Sequence, residues 1–76
     1  MPEYNPELFQ AKRNLLGMTA EELAKECKVT RQTITNVEIG KTRKPVTVLF
    51  IGLVLDILAD EQGKLDAFYE LEKGKQ

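Results

Sequence analysis

The sequence predicts an all-α protein, a compact bundle of about five short helices in one domain, and three observations predict it. No stretch shows the apolar–polar alternation of a half-buried strand. Helix-start and helix-stop residues recur at intervals of one short helix: Asn5-Pro6, Gly17, Thr19, Thr30, Gly40 and Gly63. Finally, 76 residues leave room for a single core. A chain this short keeps much of its surface wet, so 42% hydrophobic residues point to burial against a partner as well.

Asn5 followed by Pro6 reads as a cap and a first-turn proline, and Gly17 closes the first helix after about Leu16. Leu8, Phe9 and Leu16 supply its inner face. Thr19 and Glu22 have the Thr-x-x-Glu spacing of a capping box for the second helix, which turns Leu23, Ala24 and Cys27 inward. Lys28-Val29 is the turn. Thr30 then caps a third helix that ends at Gly40, so residues 19–40 form two short helices joined tightly. Residues 41–45 (Lys-Thr-Arg-Lys-Pro) make a basic loop. A fourth helix is expected from Val46 or Thr47 to about Ala59, with a break over Asp60–Gly63, and a fifth from Lys64 to about Lys73.

Charge is unevenly spread. Residues 1–45 carry eight Lys or Arg against six Asp or Glu, and residues 46–76 carry three against six. Between Lys28 and Pro45 there are five bases and one acid, which suggests a basic working face and an acidic far side. Cys27 is the only cysteine and there is no histidine. An intramolecular disulfide, a zinc site or a His-based dyad is therefore excluded within one chain, and no metal or cofactor is expected. The opening MPEYNPELF has neither the basic nor the apolar region of a signal peptide. The apolar run Val46–Leu58 is thirteen residues, whereas a membrane helix needs roughly 20. A soluble, cytoplasmic protein is the expectation.

The third helix holds the distinctive chemistry. At about 100° per residue, Ile34 and Val37 share one side with Thr30 and Thr33, while Arg31, Gln32, Thr35 and Asn36 crowd the other. A solvated helix usually places Glu/Lys pairs there. Here the polar edge carries one Arg and short amide or hydroxyl side chains. Arg donates twice to guanine O6 and N7, and Gln or Asn pairs twice with adenine N6 and N7. The bland alternative is an uncharged polar surface helix, but the preceding helix, the tight turn and the trailing basic loop argue for a helix laid in the major groove of DNA.

From Phe9 to about Leu58 the chain resembles the Cro/cI-type (XRE-like) helix-turn-helix family of prokaryotic and phage regulators. The resemblance is carried by Arg13, Gly17-Met18-Thr19, Glu22-Leu23-Ala24, Val29-Thr30-Arg31-Gln32-Thr33-Ile34, Val37-Glu38, Gly40-Lys41 and Pro45. It implies a lambda-repressor-like DNA-binding domain that binds a pseudo-palindromic site as a two-fold dimer. It further implies that Thr30, Arg31, Gln32 and Asn36 face the groove with Thr35 near it, and that Thr19 meets a phosphate. A helix start also attracts anions on physical grounds. Lys41, Arg43 and Lys44 would lie along the DNA backbone, contributing affinity without sequence information, unless the loop is simply a solvated charge cluster. Arg13 and Glu38 match a pair that joins the first helix to the end of the third. A charge at the edge of an apolar face needs such a partner, and the pair is expected to be structural.

Three positions depart from the family pattern. Ala20 stands where many relatives have a Gln that touches phosphate and braces the recognition helix, leaving Arg31 freer to choose its contact. Lys28 stands where the turn commonly holds a Gly with positive φ. That costs about 1 kcal/mol, partly recoverable from a phosphate contact. Val46 stands where some relatives send an Arg into the minor groove, so weaker discrimination of groove width is expected.

The stretch VTVLFIGLVLDIL has ten large apolar residues out of thirteen, too many for one stripe. One side must face the domain core. The other is expected to face a second copy, through Phe50, Leu53, Val54, Ile57 and, from the last helix, Phe68, with Gly52 permitting close approach of two backbones. The alternative is a fourth helix sheathed wholly by its own last helix. The sequence thus reads as a DNA-binding transcriptional regulator, a homodimeric repressor with double-stranded DNA as its partner and no membrane or small-molecule substrate. The rival reading is an antitoxin-type interaction module whose last helices cover a second protein. An enzyme is disfavoured by the size, the lack of histidine and the lack of paired carboxylates in a convincing cleft.

Overall fold

The computed structural model describes residues 4–42 and 44–74. Those residues form five helices and no strand: α1 (Pro6–Leu15), α2 (Ala20–Cys27), α3 (Arg31–Glu38), α4 (Pro45–Gln62) and α5 (Leu65–Gly74). The all-α fold with a helix-turn-helix at α2–α3 is as the punctuation predicts.

The caps explain the boundaries. Asn5 accepts a bond from the Glu7 N–H at 3.1 Å and starts α1. Thr19 and Glu22 form the reciprocal box, with Thr19 Oγ1 accepting at 3.1 Å and Glu22 Oε1 accepting from the Thr19 N–H at 2.8 Å. The Thr19 N–H, and after it the Thr19 hydroxyl, hold the Glu22 carboxyl below its ordinary range. Thr30 caps α3 by accepting from the Thr33 N–H at 3.3 Å. Lys28 ends α2 in the left-handed region at φ 58°, the place where a Gly would be unstrained.

The break expected over Asp60–Gly63 is confined to its last residue. Helix α4 runs on through Asp60, Glu61 and Gln62 and stops only at Gly63, which takes φ 69°. Asp, Glu and Gln are tolerated in a last turn; the left-handed Gly63 lets the Lys64 N–H close on the Ala59 carbonyl at 2.7 Å. At the other end α4 starts one residue earlier than expected, with Pro45 in its first turn, where the missing N–H costs nothing.

The core joins Leu23, Ala24 and Cys27 of α2, Ile34 and Val37 of α3, and the row Ile51, Leu55 and Ala59 of α4. Each large side chain fully withdrawn from water there contributes about 1.5–3 kcal/mol. Leu16 is buried just beyond α1, while Phe9 and Leu15 pack on the core half-buried and Leu8 is also half-buried. Lys64 Nζ donates to the Leu15 carbonyl at 3.0 Å and Lys12 pairs with Glu72 at 2.8 Å, tying α5 to α1.

Two expectations about the far side are corrected. Phe68, expected at an interface between copies, is 2% exposed and completes the domain's own core, with Lys12 Nζ 5.1 Å from its ring centre. Gly52 faces α1 as well: a Cβ there would lie 3.7 Å from Phe9 Cζ, at ordinary contact distance, so the position looks onto α1 rather than onto a second backbone. The outer side of α4 nevertheless stays uncovered. Val46, Leu49, Phe50, Leu53 and Ile57 recur at helical spacing and are all exposed, whereas Val54 is half-buried against the core. The last helix therefore sheathes only part of α4.

Candidate nucleic-acid interface

The opening of α3 and its cap define the working edge. Thr30, Arg31 and Gln32 are exposed there, while Thr35 and Asn36 are half-buried on the next turn. Ile34 and Val37 are buried at 1% and 0% exposure, which fixes the roll of the helix and leaves the polar edge outward. Arg31 has no hydrogen-bond or ion-pair partner among the described residues, so its five donors are available to a ligand. Gln32 Nε2 donates to Asn36 Oδ1 at 3.0 Å.

Arg13 and Glu38 hold this helix in place. Arg13 Nε and Nη2 donate to the two Glu38 carboxylate oxygens at 2.6 and 3.1 Å, and Nη1 donates to the Met18 carbonyl at 2.9 Å. Both side chains are mostly withdrawn from solvent, at 12% and 8% exposure. The pair thus connects α1, the loop before α2 and the last residue of α3. The bond to Met18 is not legible from spacing, because a backbone carbonyl leaves no mark on the residue type.

Shallow grooves flank α3. On one side Arg31 shares a groove with Thr19 and Ala20, the start of α2. Ala20 is half-buried against the core, so the position held by Gln in many relatives offers no side chain to brace Arg31. Glu21 lines the same groove and places a carboxylate near any phosphate bound there. On the other side Thr33, Asn36, Thr42, Lys44 and Thr47 line a second groove. Helical periodicity groups Thr33 with the inner face; it lies at the boundary of the two faces, and the chain segment after α3 draws it into this groove. Sequence reasoning misses Thr42 and Thr47, whose only signal is proximity to the basic loop.

The loop is built from the end of α3. The Asn36 carbonyl accepts from the Lys41 N–H at 2.8 Å and the Thr42 N–H at 3.4 Å, with Gly40 at φ 78° making the turn. Lys41 and Lys44 are exposed. No side chain caps the start of α4, so its first N–H groups remain open to an anion. Lys28 and Thr19 are exposed too, but Lys28 lines neither groove. Arg43, expected beside a phosphate, lies outside the described residues.

Among the described residues no three His, Cys, Asp or Glu side chains gather as a metal-holding group. Burial, reinforced by nearby Glu26, pushes the Cys27 thiol up to about 11, away from nucleophilic duty. None of the described helices is long and apolar enough to cross a membrane.

Comparison with known proteins bears on the same segment. The family model described as Helix-turn-helix matches residues 9–51, from the middle of α1 into α4, which is more than half of the chain. No curated protein and no solved structure shows significant similarity.

Proposed function

The chain belongs to the Cro/cI-type helix-turn-helix family of DNA-binding transcription regulators, and from that membership we propose that it is a sequence-specific repressor that binds a pseudo-palindromic operator as a homodimer. The observation that carries the reading is the edge of α3, where Arg31 and Gln32 stand exposed in the first turn above a fully buried Ile34–Val37 face. In this reading Thr30, Arg31, Gln32, Thr35 and Asn36 meet base edges. Thr19, Lys28, Lys41, Arg43 and Lys44 meet phosphates, joined by the uncapped start of α4. In this domain residues 19–40 would read DNA, residues 41–45 would follow its backbone and residues 46–73 would pack and pair.

Pairing is supported by the stripe Val46, Leu49, Phe50, Leu53 and Ile57, an apolar surface that a lone small domain rarely leaves to water. Two α3 helices about 34 Å apart would address successive turns of one duplex face. Occupancy of the site is then the regulatory act, with the protein held inside the cell on DNA.

Selection of bound duplexes from random DNA, followed by titration of variants against the selected and a scrambled duplex, tests the proposal. Arg31→Ala should lose about 1–3 kcal/mol on the selected duplex only. Lys41→Ala and Lys44→Ala should weaken both duplexes and flatten the salt dependence. Equal loss on both duplexes for Arg31→Ala refutes its role as a base reader.

A second reading draws on the same stripe, extended by exposed Leu65 and Tyr69 on α5: an interaction module of antitoxin type, with a second protein on the α4–α5 side and DNA binding subsidiary. A protein that stays monomeric at high concentration yet binds DNA would favour it over the homodimer.

A further inference from the structure

We infer that Gln32 and Asn36 act as one unit, in which Asn36 holds the Gln32 amide so that its free edge reads an adenine. The inference rests on the proposed DNA-reading role of α3. Its starting observation is the bond from Gln32 Nε2 to Asn36 Oδ1, 3.0 Å long and one helical turn apart.

The chemistry of a primary amide makes this bond compatible with base reading. The amide nitrogen carries two protons, one on the side of its own carbonyl oxygen and one pointing away from it. Adenine presents an N6 donor beside an N7 acceptor in the major groove, and bidentate pairing uses the amide oxygen together with the proton on its own side. The proton pointing away is enough for Asn36. Gln32 Oε1 and its neighbouring N–H are thereby left as a fixed acceptor–donor pair of the pattern adenine requires.

Asn36 is itself well placed to be the anchor. Its side chain is half-buried beside Thr33 and Lys44, whereas Gln32 is exposed. Its backbone carbonyl holds the Lys41 and Thr42 N–H groups at 2.8 and 3.4 Å, so the residue sits where α3 is tied to the following loop. A long exposed Gln would otherwise lose rotamer freedom on meeting a base. With Asn36 in place, part of that ordering precedes binding. Asn36 is thus a positioning residue for Gln32: its place on the base-reading edge serves to hold the Gln32 amide, in refinement of the separate base contact proposed for it above.

The test uses the intact chain and the duplex it selects from random DNA. Each adenine of the enriched half-site is replaced in turn by 7-deazaadenine, which lacks the N7 acceptor. One position should cost the native protein about tenfold or more in affinity, and Gln32→Ala should abolish that sensitivity. Asn36→Ala should abolish it too, and the double variant should be no worse than Gln32→Ala alone. Asn36→Asp, which keeps an acceptor oxygen for Nε2, should restore the ratio between adenine and 7-deazaadenine while its added charge lowers affinity on every duplex. Sensitivity that survives in Asn36→Ala overturns the inference. So does a half-site in which no adenine N7 matters, although DNA reading itself would then stand. A native protein that enriches no sequence at all overturns the base-reading role of α3 and this inference with it.

Discussion

Removing Arg13 should destabilise the protein more than removing any other charge. The side chain makes three hydrogen bonds, two of them charge-to-charge with Glu38 and one to the Met18 carbonyl. Arg13→Ala leaves the Glu38 carboxylate at 8% exposure with its partner gone. Breaking a buried pair from one side typically costs about 3–5 kcal/mol. Arg13 retains some contact with solvent, which places the expectation near the lower end, at about 3 kcal/mol. A domain of this size has roughly 4–11 kcal/mol of total stability, so the loss is a large fraction of it. The midpoint of thermal unfolding should fall by roughly 12–24 °C, at about 4–8 °C per kcal/mol. Urea unfolding followed by far-ultraviolet circular dichroism, at fixed protein concentration because pairing shifts the apparent stability, measures the change directly. Removing both charges, as Arg13→Met with Glu38→Leu, should recover much of the loss, because no orphaned charge remains. A single variant within about 1 kcal/mol of the native protein would refute the reasoning, as would a double variant no better than the single.

Four further outcomes follow from particular residues. Lys28→Gly removes the side chain from a φ of 58° and should stabilise the fold by about 1 kcal/mol in urea unfolding; a loss of stability would contradict the strain argument. Cys27 is 2% exposed with its thiol raised to about 11, so alkylation at pH 8 should proceed only as fast as the protein opens, and rapid labelling of the native state would be incompatible with that burial. Glu22 has a lowered carboxyl, so its capping contribution is complete above its unfolded value and is lost as pH falls through the lower folded value. Glu22→Gln, which keeps a capping acceptor, should weaken the acid dependence of stability in that window, and an unchanged profile would remove Glu22 from its causes. Leu53→Asp places a charge in the middle of the exposed α4 stripe; sedimentation equilibrium should show the paired state lost while the helical content is kept, and an undiminished dimer would place the interface elsewhere.

The local structure was legible wherever polarity alternated along the chain. Thr19 with Glu22, Thr30, Gly40 and Gly63 are boundary residues whose backbone needs dictate their type, and each sits at or beside the helix end expected of it. The polar edge of α3 could be read because Ile34 and Val37 stand out against Arg31, Gln32 and Asn36, so one face excludes the other. The Arg13–Glu38 pair was legible through the family resemblance, with which the need of a charge beside an apolar face for a counterpart agrees.

The fourth helix carried no such information. A helix that is apolar on every side has no periodic signal to orient it, so the sequence could require one side of α4 to meet the core but not say which side that is. Only the tertiary packing turned Ile51 and Leu55 inward, set Gly52 against Phe9 and left Val46, Leu49, Phe50, Leu53 and Ile57 to water. It also drew Phe68 into the core and gathered Thr33, Thr42 and Thr47 beside Asn36, residues separated along the chain and joined by the path of a loop. Helix ends and faces follow from short-range backbone and side-chain preferences, whereas neighbours across helices depend on how all five pack at once.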